Sequence, residues 1–340
     1  MNSTLVDVRF ADGPRYYLTE PKDINMRVPD QIRNCVLFVG IPGEMPDPEY
    51  RGTAFIVTVP GTQNNHFAYL VTARHVAEHL QGSEFYIRAN HSNGTAVALR
   101  GRADTLWWFH PTEKSTVDAA VTLFAPPHLY ELDVSHIPIA MFADKERIAE
   151  SSIGVGDEVF ITGLFTKVTE TTRNLPIVRI GNVAMMPDEK IPFGDEYIDA
   201  YLIESRSIGG LSGSPVFVRE TRTLTQKVDA YDTPMPVIHG SGRFFFFGSI
   251  IGHWDLPVGF TPTLAETVNM GIAPVVPASK IKEIIMQPEL MEAMKHVDDE
   301  IRAEKRSGAV RDLAPAKVEG FTQEDFESAL KKVSRKVENK

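Results

Sequence analysis

Three residues of the 340-residue chain have the types needed for covalent nucleophilic chemistry: Ser212, His75 and Asp118. Ser212 lies in Gly-Gly-Leu-Ser-Gly-Ser-Pro (209–215), where glycines on both sides let the backbone bend sharply and let neighbouring amides turn toward a bound oxygen. A serine hydroxyl is a weak nucleophile until a base takes its proton, and that base needs a third group to hold it in one tautomer. Taken singly, Gly-x-Ser-Gly describes many ordinary turns, and a lone histidine or aspartate serves as a core or capping residue. Taken together, His75 at the end of one strand-like run, Asp118 at the start of another and Ser212 on a glycine-rich loop supply a base, an orienter and a nucleophile. The chain order His, Asp, Ser is that of one known arrangement in which the cleft lies between two β-barrels.

The same histidine also opens His75-Val76-Ala77-Glu78-His79, the pattern in which two histidines one helical turn apart hold zinc and a glutamate activates water. That motif belongs well inside a helix. Here His75 follows the strand-like Phe-Ala-Tyr-Leu-Val-Thr (67–72), and a zinc reading leaves Asp118 and the serine loop without a role. His66, His79, His110 and His253 are read as structural or solvated. Cys35, the single cysteine, sits in the apolar run Cys-Val-Leu-Phe-Val, so no intrachain disulfide can form and a thiolate metal site is not expected.

The elements that must position these residues are short strands. Gly52 to Val59 is rich in β-branched and aromatic residues, turn residues come next, and Phe67 to Thr72 returns, which predicts a hairpin delivering the chain to His75. Further strands are expected at 85–88, 96–99 and 105–109, with Asn93-Gly94 as a turn, and Asp118 opens Asp-Ala-Ala-Val-Thr-Leu-Phe. A second set is expected at 155–162, 177–183, 198–203, 215–218, 244–251 and 270–275. After Pro277 the apolar spacing becomes helical, through Ile281, Ile284 and Ile285 and then Leu290, Met294, Val297 and Ile301. Thr322 and Asp325 form a variant capping box with Phe321 and Phe326 as its staple, so 321–335 reads as a last helix with the apolar stripe Phe326, Leu330, Val333.

Composition agrees with a globular chain of many turns: 43% hydrophobic, 24% charged, 24 glycines and 23 prolines. A net charge of -10 argues against nucleic acid and anionic membrane surfaces as partners. No leader-like or membrane-spanning run is present, which predicts a cytoplasmic protein. The expected organisation is an N-terminal arm over 1–30, a β-barrel over 31–147 carrying His75 and Asp118, a second over 148–286 carrying Ser212, and a helical extension over 287–340 with a linker near 306–319.

Thr72-Ala73-Arg74-His75, Asp118-Ala119-Ala120-Val121 and Gly210-Leu211-Ser212-Gly213-Ser214-Pro215 resemble the three active-site segments of the chymotrypsin-like serine proteases. Val155-Gly156-Asp157-Glu158-Val159 with Gly163, and Gly271-Ile272-Ala273-Pro274 ahead of 280–285, are similar to landmarks of the disulfide-free branch that includes the high-temperature-requirement proteases. The resemblance spans 32–285 in pieces. It implies a mainly β protein of two six-stranded antiparallel barrels with C-terminal helices, acting as a serine endopeptidase on protein or peptide substrates with no cofactor and no metal. It further implies an oxyanion hole from the N–H groups of Gly210 and Ser212, and a substrate strand at Ile250, Ile251 and Gly252. By the same resemblance Arg206, six residues before Ser212, falls at the floor of the pocket for the residue before the scissile bond, where an arginine favours acidic or polar side chains if it points inward; a solvent-facing Arg206 is the alternative. Two departures matter. Leu211 stands where pancreatic relatives have an aspartate that pairs with a new N-terminus, so activation by that route is not expected, and Val76 replaces a cysteine. No PDZ-like domain is expected after 285, and the C-terminal helices are assigned to partner docking or self-association. A protease fold retained as a non-catalytic binding scaffold stays open as an alternative, as does a zinc peptidase through His75, Glu78 and His79.

Overall fold

A computed structural model describes residues 5–8, 16–19, 28–43, 49–61, 66–125, 131–163, 172–194, 196–205, 210–221, 223–228, 234–239, 242–252, 255–258 and 266–306. The chain divides into two units, Met1–Asp30 and Gln31–Lys340. Within the first, β1 (Leu5–Val8) pairs antiparallel with β2 (Tyr16–Thr19). A single helical turn, α1 (Asp30–Arg33), comes next.

The second unit begins with a sheet of eight strands: β3 (Val36–Ile41), β4 (Glu49–Pro60), β5 (His66–Thr72), β6 (Phe85–Asn90), β7 (Ala96–Gly101), β8 (Trp108–Phe109), β9 (Ala120–Leu123) and β10 (Ile137–Pro138). Helix α2 (Arg74–Leu80) leaves directly from β5. The strand order is β7-β6-β3-β4-β5-β9-β8, with β10 parallel on β4. The expected hairpin is present, β4 and β5 pairing from Phe55↔Val71 to Pro60↔His66. Strand β4 is buried from Gly52 through Val57 because both of its faces are covered. Ala54 and Ile56 enter a core with Leu37, Leu70, Phe85 and Trp107.

This sheet is open, which corrects the expectation of a closed first barrel. Closure would require β7 to reach β8, and β8 is only two residues long instead of the five expected over 105–109. The preceding backbone turns on itself: Thr105 N–H donates to the Arg102 carbonyl at 3.1 Å, and the Arg102 guanidinium binds Asp104 at 2.7 and 2.8 Å. The Thr105 N–H and the Arg102 carbonyl are therefore not available to extend a ladder.

Helix α3 (Lys145–Glu150), capped by Asp144 accepting the Arg147 N–H at 3.1 Å, precedes the second half. The later strands are β11 (Glu158–Gly163), β12 (Ile177–Met185), β13 (Ile191–Phe193), β14 (Glu196–Ile198), β15 (Tyr201–Glu204), β16 (Pro215–Arg219), β17 (Thr223–Val228), β18 (Pro234–His239), β19 (Phe244–Ile250), β20 (Asp255–Val258), β21 (Glu266–Asn269) and β22 (Ile272–Pro277). Six of them close a barrel in the order β11-β12-β15-β22-β19-β16, around Val159, Ile161, Ile203, Val216, Phe247 and Val275. The remaining six form the hairpins β13–β14, β17–β18 and β20–β21. An aromatic seam joins sheet to barrel: the Phe246 ring lies 5.1 Å from Phe55, 4.7 Å from Phe142 and 6.0 Å from Phe217.

The helical spacing after Pro277 is realised as α4 (Ala278–Ile285), with Ala278, Ile281, Ile284 and Ile285 buried, and α5 (Pro288–Arg306), with Leu290, Ala293, Met294 and Val297 buried. The expected helix over 321–335 lies outside the described residues, and so does almost all of the expected linker. No described helix is long and apolar enough to cross a membrane.

Candidate active site

His75 and Asp118 meet because of strand register. Strands β5 and β9 pair antiparallel with Thr72 opposite Ala120, so the residues just past the end of β5 lie beside those just before β9. Ala73, at φ −67° and ψ 146°, turns the chain into α2. His75 Nδ1 then stands 2.8 Å from Asp118 Oδ2, and the His75 backbone N–H donates to Asp118 Oδ1 at 3.0 Å. Two bonds to two oxygens fix both the carboxylate plane and the imidazole ring. The aspartate side chain is 6% exposed and the histidine 43%, so the imidazole opens to solvent while the carboxylate does not. Burial of the carboxylate is offset by these bonds and by Arg74, whose Nε approaches Oδ1 to 3.9 Å. Arg74 also reaches Glu78 and Glu196, both at 3.8 Å, and so links α2 to the β13–β14 hairpin.

The zinc arrangement is not assembled. His79 Nδ1 donates to the His75 carbonyl at 2.6 Å, and Glu78 pairs with Lys114 at 3.3 Å as well as with Arg74. Among the described residues, the group of His, Cys, Asp and Glu atoms close enough to hold an ion is His110, Glu113 and Glu283. There the Glu113 N–H donates to His110 Nδ1 at 3.1 Å, which puts the ring proton on Nε2, where it donates to Glu283 at 2.8 Å. Lys280 and Lys190 both bind Glu113, and these bonds, the Lys280 one foremost, hold its carboxyl well down, at a pKa of about 2. The donors and acceptors of this cluster satisfy one another. It ties the segment leading to Asp118 to α4 and to the barrel.

The Ser212 loop is held from two sides. On the barrel side, Ser214 N–H donates to Leu211 C=O at 2.9 Å, Gly213 N–H to Ile250 C=O at 2.8 Å, and Ile250 N–H to Ser214 C=O at 2.9 Å. Leu211 is fully buried, and it packs with Ser214 over Gly163, where an added Cβ would stand 2.0 Å from Ser214 Oγ and 2.7 Å from Leu211 Cδ2. An aspartate in place of Leu211 would be stranded without water. On the sheet side, Thr53 N–H donates to Ser212 C=O at 3.0 Å and Thr53 Oγ1 to Gly210 C=O at 2.9 Å. Gly213, at φ +79°, lies so close that an added Cβ would stand 2.3 Å from Thr53 O, 2.6 Å from Thr72 Oγ1 and 2.9 Å from Ala73 N. The serine loop therefore rests on the 72–76 segment that carries His75. Among the described residues, no hydrogen bond joins the Ser212 hydroxyl to His75, and the N–H groups of Gly210 and Ser212 have no acceptor.

Solved protease domains resemble this chain. The apo protease domain of MamO from Magnetospirillum magneticum is 17% identical, matches 76% of this chain and 98% of its own, and superposes with a TM-score of 0.43. The active form of the Rv3671c protease from M. tuberculosis is 15% identical over 75% of this chain and 80% of its own, with a TM-score of 0.37. No protein-family model and no curated protein sequence matches the chain.

Of the expected substrate-strand residues, Ile250 ends β19, and Ile251 N–H donates to Pro274 C=O at 3.0 Å. Gly252 is open apart from the Phe193 ring, 3.8 Å from where a Cβ would stand. Arg206 and His253 lie outside the described residues. Thr53, Thr72 and Arg74 escaped sequence reasoning as site residues. Thr72 and Arg74 fall inside the Thr72-Ala73-Arg74-His75 segment without a role of their own there, and Thr53 is a threonine in an apolar run.

Proposed function

We propose that this chain is a serine endopeptidase that cleaves protein or peptide substrates through Ser212, His75 and Asp118. The observation that carries the proposal is the His75–Asp118 pair, bonded at 2.8 Å, with the Ser212 loop pinned by Thr53 and seated on Thr72 and Ala73, just before His75. With Nδ1 donating to the carboxylate, His75 presents an unprotonated Nε2 as base. It takes the Ser212 hydroxyl proton as Oγ attacks a peptide carbonyl, and the resulting imidazolium is stabilised by Asp118. The N–H groups of Gly210 and Ser212 receive the developing oxyanion, each such donor being worth about 3 to 4 kcal/mol in the transition state. His75 hands its proton to the leaving amine, an acyl-enzyme remains on Ser212, and water admitted by the same base releases it.

Hydrolysis of fluorescent casein by the wild type, and its loss in Ser212→Ala with an unchanged melting curve, is the expected result. Equal hydrolysis by both proteins would remove Ser212 from the chemistry. A folded wild type that leaves casein intact and resists serine-directed probes would instead favour the binding-scaffold reading.

A further inference from the structure

Thr53 touches the serine loop at three successive points. Its N–H donates to the Ser212 carbonyl at 3.0 Å, its hydroxyl donates to the Gly210 carbonyl at 2.9 Å, and its own carbonyl lies 2.3 Å from where a Cβ on Gly213 would stand. That carbonyl also accepts the Thr72 hydroxyl at 2.8 Å, three residues before His75. Both threonines are fully buried. A hydroxyl inside the buried run of β4 costs desolvation unless it is paired, and this one finds its partner 157 residues away on the opposite half of the site.

We propose that the Thr53 hydroxyl is a positioning residue for the oxyanion-binding amides, an inference that rests on the assignment of Ser212 as nucleophile. Gly210 sits at φ +94° and has no side chain of its own, so on the Gly210 side the peptide unit between 210 and 211 turns easily unless its carbonyl is held. In a planar trans peptide the carbonyl and the N–H point in opposite directions, so holding one end fixes the other. The Thr53 hydroxyl holds the 210–211 plane through its carbonyl, which fixes the Leu211 N–H of that plane and the Gly210 Cα to which the Gly210 N–H is joined. Ser214 N–H holds the 211–212 plane through the Leu211 carbonyl, which turns the Ser212 N–H away from the inside of the turn. Thr53 N–H holds the Ser212 carbonyl beyond it. Both candidate donors thus flank a segment whose planes are set before substrate arrives, and preorganised donors need no rearrangement as charge develops. The hydroxyl is the one side-chain group among these anchors, so substitution removes it without altering the main chain.

The test compares second-order inactivation by diisopropyl fluorophosphate in the wild type, Thr53→Val and Thr53→Ser, with melting curves for each. Thr53→Val keeps the shape and loses the donor; its inactivation rate should fall about tenfold, the effect of one lost hydrogen bond expressed in the transition state. Thr53→Ser keeps the donor and should react close to the wild-type rate. The pH midpoint of inactivation should not move, since His75 and Asp118 are untouched, whereas a merely structural lesion would disturb it or the melting curve. A wild-type rate in folded Thr53→Val overturns the proposal, as does a slowed rate with a displaced midpoint. Should Thr53→Val not fold, Thr53→Ala against Thr53→Ser supplies the same contrast, and equal rates for those two overturn it. Inertness of the wild type itself defeats the Ser212 assignment and this inference with it, and is recognisable because it appears without any change at Thr53.

Discussion

Exchanging Asp118 for asparagine changes one charge and almost no volume, and the geometry dictates the outcome. Asp118 Oδ1 accepts the His75 backbone N–H at 3.0 Å while Oδ2 faces Nδ1 at 2.8 Å. The amide oxygen of asparagine must take the first role, because an NH₂ group there would confront another N–H. Its nitrogen then faces Nδ1, which has to accept, and the ring proton is driven to Nε2, where it blocks proton transfer from Ser212. A wrong tautomer of this kind costs about 10⁴-fold in turnover with the site otherwise intact. The fold should survive, since one bond to the side chain persists and the other is replaced in reverse, although the loss of charge assistance to both should lower stability by about 2 kcal/mol. Casein hydrolysis and fluorophosphate inactivation at neutral pH, read beside a urea melt, decide the matter. A folded Asp118→Asn protein that reacts at the wild-type rate would refute the assignment of His75 as an Asp118-oriented base.

The tether on the segment leading to Asp118 makes a pH prediction. The Glu113 carboxyl is held at about 2 against an ordinary 4.5 by its bonds to Lys280 and Lys190, so the stabilisation is complete above about 4.5 and is lost as pH falls through about 2. Glu113→Gln should therefore melt below the wild type at pH 7, with the gap closing toward pH 2; a gap that persists there would contradict the ion-pair origin. Gly213→Ala should destabilise the protein by about 2–4 kcal/mol and abolish hydrolysis, because φ is +79° and the new Cβ would press on backbone atoms of Thr53 and Ala73. A urea melt indistinguishable from wild type would show that the loop does not seat on the sheet as described.

Local patterns read well because local physics decides them. The β-branched and aromatic residues of Gly52–Val59 and the returning run Phe67–Thr72, on either side of turn residues, produced the β4–β5 hairpin, and that hairpin delivers His75. The helical spacing of Ile281, Ile284 and Ile285 became the buried face of α4. Features that could not be read depend on partners far along the chain. Openness of the first sheet comes from a strand β8 cut to two residues after the Arg102–Thr105 turn, and a strand-like composition over 105–109 does not reveal it. Strand β18 is hidden because Pro234 and Pro236 interrupt any strand-like alternation, and its hairpin partner β17 is not legible without it. Thr53 looks like an ordinary β-branched strand residue until its hydroxyl is seen on Gly210. Leu211 was legible as a departure, while its reason, the bare Gly163 beneath it, was not.

The central claim is that Ser212 is an activated nucleophile. Reaction of the native protein with diisopropyl fluorophosphate, and then peptide mapping, tests it most directly: attack by Ser212 Oγ forms a P–O bond, expels fluoride and passes the proton to His75. One phosphoryl adduct on the peptide containing Ser212, absent after denaturation before labelling and absent in Ser212→Ala, is the predicted result. No adduct on native protein, or an adduct on a different residue, would contradict it.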